Sequence, residues 1–493
     1  MAFVWSDGFD CYATGADATT GYWDTTVASS LNLVAGRFAG SQAFSWNGIA
    51  SQTLAKTSSV NDAVHHINVA FRQTFAISGS NLGLYLQLLD GATAQCSIVF
   101  RTDGAILLTA GAANGTVLAT YTGAFPVVNT WYSFEIEVVI SNTAGWMKVR
   151  KNGNTTEDFT SSLTLDTQVS ANAYANKLQI AQQVGVATQN LDDLYWRSDA
   201  SSVPWAGDMK CVTRYPASDA SVQFSRSTPN YTQAAGFGSS TATINVNVAV
   251  YQVFSASYSG TTATLSVVFG GGTTTCNMKC ALFASTGTAP AAVLGTATPL
   301  ALSAATTATF TFSTPVTLVK GTQYWVGFVA DATSGNFTTT VAASGAQNVT
   351  TYASWPTASP VVSGIKAPIV SLIVNTTVNA DMVNEAQQDA TTSYVYDSVP
   401  GHADFYGIAP IASTPLTTFA VTTRAYMIKS DAGTRTAAVQ LKSGSSTVAS
   451  PTVVLTPSNW QWAWRHDTTD PATGAAWTAA GVNTINVGPI CIA

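Results

Sequence analysis

Four histidines, His65, His66, His402 and His466, are the first place to look for nucleophilic or metal chemistry. A Ser or Cys nucleophile needs an imidazole base and a carboxylate to orient it. None of the four lies in a glycine-framed nucleophile elbow or at zinc-ligand spacing, so all are expected in exposed loops, His466 within a polar cluster with Arg465 and Asp467. Cys276 and Cys280 form the one close cysteine pair. With no second pair and no nearby His they make no zinc site, which leaves a local disulfide across a turn at Asn277–Lys279 or two free buried thiols. Gly270, Gly271 and Gly272 follow a strand, but no Lys-Ser/Thr or helix start comes after them, so they read as a hairpin loop and not a phosphate cradle. No catalytic residue and no cofactor is expected from these types and spacings.

Aromatic residues offer binding chemistry instead. The run Asn459–His466 places Trp460, Trp462 and Trp464 at period two, which on a strand puts three indoles on one face. A core face, a subunit interface and a sugar-stacking platform compete for that row, and the interface is the use it would have outside the core. Trp355, beside Pro356 with Tyr352 nearby, reads as a loop that displays carbohydrate-binding rings. Trp5, Trp23, Trp46, Trp131 and Trp146 are expected in a core.

The elements that must position these side chains are strands. Short stretches rich in Val, Ile, Thr, Tyr and Phe recur between Gly, Asn, Ser and Pro, among them 66–75, 82–89, 97–101, 131–140, 146–151, 262–269, 308–312 and 323–330. Helical periodicity is nearly absent apart from a short turn expected at 381–389. The expected fold class is therefore all-β, built from several antiparallel β-sandwiches, with three domains in 493 residues. Only 9% of residues are charged and the net charge is −6, so the surface must be largely Ser, Thr, Asn, Gln and Gly. That balance argues against nucleic acid, which is bound by clustered Lys and Arg, and 46% hydrophobic content argues against disorder. No apolar run reaches the roughly 18 residues of a membrane span, and the N-terminus has no basic, apolar signal segment.

The motifs SDGFDCY (6–12), WYSFEIEVVI (131–140), WMKVRKNG (146–153) and LDDLYW (191–196) occur in an order that resembles the concanavalin A-like, or laminin-G-like, lectin/glucanase sandwich. The resemblance covers 1–199 and implies a jelly-roll domain there. Glucanases of this family carry carboxylates at i, i+2 and i+5 of one strand. Glu135 and Glu137 match the first two positions and Ile140 stands at the third, which removes the acid. The reading that remains is two solvent-face carboxylates on a half-exposed strand. Related lectin domains often hold calcium; Asp192 and Asp193 could support such an ion, or one of them could cap a neighbouring loop.

Downstream, 207–227, 383–395, 429–435 and 470–478 resemble a region of tailed-bacteriophage virion proteins. This implies a discontinuous β-sandwich at 200–228 plus 378–493, for virion attachment or oligomerisation, interrupted by an inserted module at 229–377 that could be displayed outward. The expected function is a non-enzymatic virion structural protein, tail-associated or capsid-decorating, that adheres to host-surface glycans. Its expected partners are other virion proteins and further copies of itself, and its location is the particle. A polysaccharide depolymerase or glucanase is the first alternative, and a purely architectural protein with no ligand is the second.

Overall fold

The computed structural model describes residues 3–19, 21–24, 31–48, 52–199, 205–226, 231–235, 240–243, 248–256, 259–269, 276–302, 306–331, 336–340, 345–349, 355, 362–363, 367–368, 370–375, 378–385, 393–411 and 417–493. These form two compact units, one of 1–224, 384–390 and 397–493, the other of 225–383 and 391–396. Both are built almost wholly from antiparallel strands. The helical elements described are single turns at Gly15–Thr19, Asn379–Met382 and Ala479–Val482, and none is long and apolar enough to cross a membrane.

In the first unit, residues 3–199 supply fourteen strands: β1 (Phe3–Asp7), β2 (Asn32–Ala35), β3 (Gln42–Trp46), β4 (Thr53–Asp62), β5 (Val64–Gln73), β6 (Leu84–Asp90), β7 (Thr93–Phe100), β8 (Ile106–Ala110), β9 (Val117–Tyr121), β10 (Tyr132–Val139), β11 (Trp146–Lys151), β12 (Phe159–Thr160), β13 (Ala175–Gln182) and β14 (Gln189–Asp199). Eight of them form one sheet, ordered β12-β11-β10-β5-β14-β3-β2 with β1 also on β14; the other six form a second, ordered β4-β13-β6-β7-β8-β9. Period-two alternation sets which face is which. Ile67, Val69 and Phe71 of β5 and Phe134, Ile136 and Val138 of β10 enter one core with Leu86, Leu88, Ile98 and Phe100 of the opposing sheet. Trp5, Trp23 and Trp46 are buried there as expected. Trp131 and Trp146 are not core. They lie half-exposed under Arg72 (4.6 Å) and Lys148 (4.8 Å), because the aliphatic rows of β10 and β11 already fill the inner side.

The same unit continues with a six-stranded sheet that joins Pro216–Ser221, Phe405–Ile408, Asn486–Cys491, Arg435–Ser443, Ser446–Ala449 and Val453–Leu455. Val421–Met427 pairs with Gln461–Asp467 as a separate ribbon. In the second unit, a four-stranded and a seven-stranded sheet enclose a core of residues such as Val250, Leu265, Leu282, Phe310, Phe328 and Leu372.

All six cysteines are free thiols. Of the two readings of Cys276 and Cys280, free buried thiols hold: Asn277–Lys279 is no turn but part of a continuous strand, Cys276–Ser285, because Cys276, Met278, Cys280 and Leu282 alternate into the core. Four residues of strand separate the two sulfurs by about 13 Å, beyond the reach of a disulfide. The expected Gly270–Gly272 loop falls outside the described residues.

Candidate functional site: a polar sheet face closed by its own chain

The outer face of the eight-stranded sheet gathers the chemistry-bearing residues of the sandwich. Register places two rows side by side across β11, β10, β5 and β14: Lys148, Glu137, His66 and Arg197 in one, Arg150, Glu135, Asn68 and Tyr195 in the next. Aliphatic neighbours in each strand point into the core, so alternation alone delivers these polar side chains to one surface.

That surface is not open. Glu135 and Glu137 are 4% and 1% exposed, so the expectation of two solvent-face carboxylates does not hold. The segment from Trp205 to Asp208 lies across them. Glu135 accepts hydrogen bonds from the amides of Ala206 and Gly207, and Asn68 donates to the Gly207 carbonyl at 3.0 Å. Trp205 lies beside Arg150, its ring 4.4 Å from the guanidinium, and meets the edge of His66. Burial pushes the Glu135 carboxyl above its ordinary range, and the two amide bonds oppose that rise. Glu137 contacts His66 Nε2, and His66 Nδ1 has no hydrogen-bond partner among the described residues. Ile140, at the third expected position, is buried in the core.

Three of the four histidines lie in strands, and His402 alone keeps its expected loop. His65 and His66 are adjacent on β5, a strand buried on both faces, so one enters each side. His65 Nε2 lies 3.0 Å from the Asp62 carbonyl, and Trp196 Nε1 donates to His65 Nδ1 at 3.3 Å, which fits a neutral ring. Burial holds its pKa down to about 4. His466 lies within the Gln461–Asp467 strand, where Thr422 Oγ1 is 2.7 Å from its Nδ1. His402 is the half-exposed one and pairs with Asp397 at 2.9 Å.

Asp192 and Asp193 occupy a bulge in β14, and Asp193 takes a left-handed φ of 50°. Asp192 accepts from the amides of Arg37 and Asp193, both at 2.7 Å, and Asp193 accepts from the amide of Cys211 at 2.8 Å. The Arg37 guanidinium lies 3.8 Å from Asp193 and pairs with Asp208. Burial raises both carboxyls; the Asp192 charge raises Asp193 further, and Asp10 adds to the rise at Asp192. Calcium requires six to eight oxygen ligands. Here N–H donors and a guanidinium face the carboxylates, and no cluster of three metal-ligating side chains exists among the described residues. The pair does not fit a calcium ion.

The tryptophan row lies against its own chain. Trp462 is 6% exposed, donates to the Asp17 carbonyl at 2.9 Å and meets Tyr12 edge-on. Trp464 donates to the Gly21 carbonyl, and Lys56 lies over its ring at 4.5 Å. Trp460 stacks on Tyr426 at 5.1 Å. For Trp462 and Trp464 the expected subunit interface is therefore replaced by a contact inside one chain, since the 3–199 sandwich already supplies their hydrogen-bond acceptors. In the second unit, Trp355 is half-buried, edge-on to Phe283 at 5.3 Å, where it packs beside the cluster of Tyr251, Phe283 and Trp325. Tyr352 lies outside the described residues.

Arg424 is a residue that sequence reasoning missed. It pairs with buried Asp7 at 3.2 Å and lies 3.8 Å over Tyr22, while Tyr12 and Trp23 donate to the other Asp7 oxygen at 2.6 and 2.9 Å. No local pattern links positions 417 residues apart.

No protein-family model matches the sequence, and no curated protein is similar to it. Solved structures with likeness to the chain include domain 4 of AbnA, a GH43 extracellular arabinanase from Geobacillus stearothermophilus in complex with arabinotriose (15% identity, 35% of this chain and 77% of that one, TM-score 0.25). Cellulose induced protein Cip1 is 12% identical over 41% of this chain and 94% of its own, with a TM-score of 0.27. A carbohydrate esterase from the Shiga toxin-encoding bacteriophage phi24B is 16% identical over 34% and 87%, with a TM-score of 0.25. Likeness at this level says nothing of activity, ligand or site.

Proposed function

We propose that this protein is a non-enzymatic structural protein of a tailed-bacteriophage particle that adheres to host-surface glycans. The observation that carries the non-enzymatic half is the occupation of Glu135 and Glu137. A retaining glycosidase needs two carboxyls about 5 to 5.5 Å apart around a scissile bond, one of them free to give a proton. Glu135 instead accepts two backbone amides, Glu137 meets His66, and a saccharide could reach either only by displacing Trp205–Asp208.

The virion half rests on the likeness of 207–227, 383–395, 429–435 and 470–478 to phage particle proteins. Adhesion suits a surface with 9% charged residues, since Ser and Thr hydroxyls give up water to a sugar at far lower cost than charges do. Weak sites repeated on many copies then gain avidity through effective concentration, and cyclic assembly is the default symmetry for such copies. The second unit is the part displayed outward.

One observation favours a depolymerase: the raised Glu135 carboxyl is the property a general acid needs. The readings separate in one assay. Adhesion predicts that the full chain is retained on host polysaccharide without new reducing ends, and cryo-electron microscopy places many copies on intact particles. Sugar release abolished by Glu135→Gln establishes the depolymerase, and absence from purified particles overturns the virion assignment.

A further inference from the structure

Among the described residues, two aromatic side chains are exposed outright: Tyr394 at 39% and Tyr396 at 52%. Every other aromatic ring whose exposure is described is buried or half-buried. The two belong to the second unit, either side of Val395 in a short strand, Val395–Tyr396, that pairs with Ser225–Arg226. Val395 packs against that unit's core. Period two therefore turns Tyr394 and Tyr396 to the opposite side, where their ring centroids are 6.1 Å apart at 53°.

Cross-strand register completes the face. Ser225 lies directly opposite Tyr396 and is exposed, so a hydroxyl stands beside the ring. Arg226 lies opposite Val395, on the inward side, and donates to buried Asn379 at 3.3 Å. The next acidic residue, Asp397, has its carboxylate engaged by the amides of Ser398 and Val399 and by His402. Neither tyrosine hydroxyl is hydrogen-bonded within the described residues.

We infer that Tyr394, Tyr396 and Ser225 form a stacking platform for an uncharged saccharide. This rests on the adhesive function proposed above and names its site. The chemistry of the face selects the ligand. Tyrosine rings take flat, CH-rich partners, and three hydroxyls supply donors and acceptors to sugar oxygens. A nucleobase would also stack, but single-stranded nucleic acid needs a cationic groove along its backbone, and the cation described on this ribbon, Arg226, is turned inward and paired. A quaternary ammonium would need an aromatic cage, and the described residues supply two rings tilted at 53° and no third.

The test uses the full chain on a printed array that carries neutral and acidic saccharides, beside the double variant Tyr394→Ala/Tyr396→Ala and a Tyr394→Phe/Tyr396→Phe control. The expected result is binding to neutral saccharides, at least about tenfold weaker in the alanine variant and largely kept in the phenylalanine one, with the same thermal midpoint in all three. Neutral-saccharide binding that survives both alanines overturns the platform and leaves adhesion standing. Preference for acidic saccharides overturns it too. Silence of the unaltered chain across the array overturns platform and adhesion together.

Discussion

On the eight-stranded sheet, Glu135, Glu137 and His66 face a segment of their own chain; on the Val395–Tyr396 strand, Tyr394 and Tyr396 face solvent. Both surfaces arise from period-two alternation, yet only one leaves its aromatic rings open to solvent. A buried polar group must be satisfied by the fold, because leaving it dry and unpaired costs about 1 to 3 kcal/mol. An exposed tyrosine carries no such demand. Residues able to do chemistry are therefore poor guides to function when they are buried and engaged, and the unengaged aromatic pair is the better one. The comparison predicts that changes on the engaged side cost stability and changes on the open side cost binding.

The largest effect tests the engaged side at its deepest point. Arg424→Met removes the cation from buried Asp7, and unfolding in urea should show a loss of about 3 to 5 kcal/mol, since one charge is left without its partner. A loss under about 1 kcal/mol would mean that the Phe9 amide, Tyr12 and Trp23 hold Asp7 without the cation. Glu137→Gln at the His66 contact should cost about 1 to 3 kcal/mol by the same measurement while leaving saccharide retention as it was. Reduced retention at unchanged stability would move the binding face to the sandwich.

Acid should strike the engaged side as well. His65 stays neutral in the fold down to about pH 4, whereas an unfolded His takes its proton near 6.5. The unfolded state then binds the extra proton, so stability falls as pH drops from about 6.5 towards 4 and levels off below, by about 3 kcal/mol for this residue. His65→Gln should remove its share of that slope and leave the share of buried His466, whose pKa is also held down to about 4, and an unchanged slope would contradict the role given to His65. The smallest effect belongs to the open side. Tyr394→Ala and Tyr396→Ala should each leave unfolding stability within about 0.5 kcal/mol, and a larger loss would show that these rings belong to the fold.

The strand at Trp146–Lys151 was legible because its residues alternate, and that at Gln323–Ala330 because it is a short apolar run rich in Val, Tyr, Trp and Phe; turn residues bound both. Trp5, Trp23 and Trp46 were legible as core from size alone. The state of Glu135 was not, since its amide partners lie 71 and 72 residues away and belong to a connector with no pattern of its own. His65 and His66 carried a signal that residue type obscured: five of the eight residues Val64–Phe71 are apolar and Val69, Ala70 and Phe71 are consecutive, which puts apolar groups on both faces of the strand, and two neighbours in it must go to opposite sides. The tyrosine platform left a trace in Ser393-Tyr394-Val395-Tyr396, an alternation whose outer side needs the Val395 contact to be recognised.

The central claim is adhesion without hydrolysis. The full chain, incubated with capsular or cell-wall polysaccharide, can be scored in one tube for retention on the polymer and for new reducing ends. Retention with no rise in reducing ends is the predicted result, and a rise in reducing ends that Glu135→Gln abolishes would contradict it.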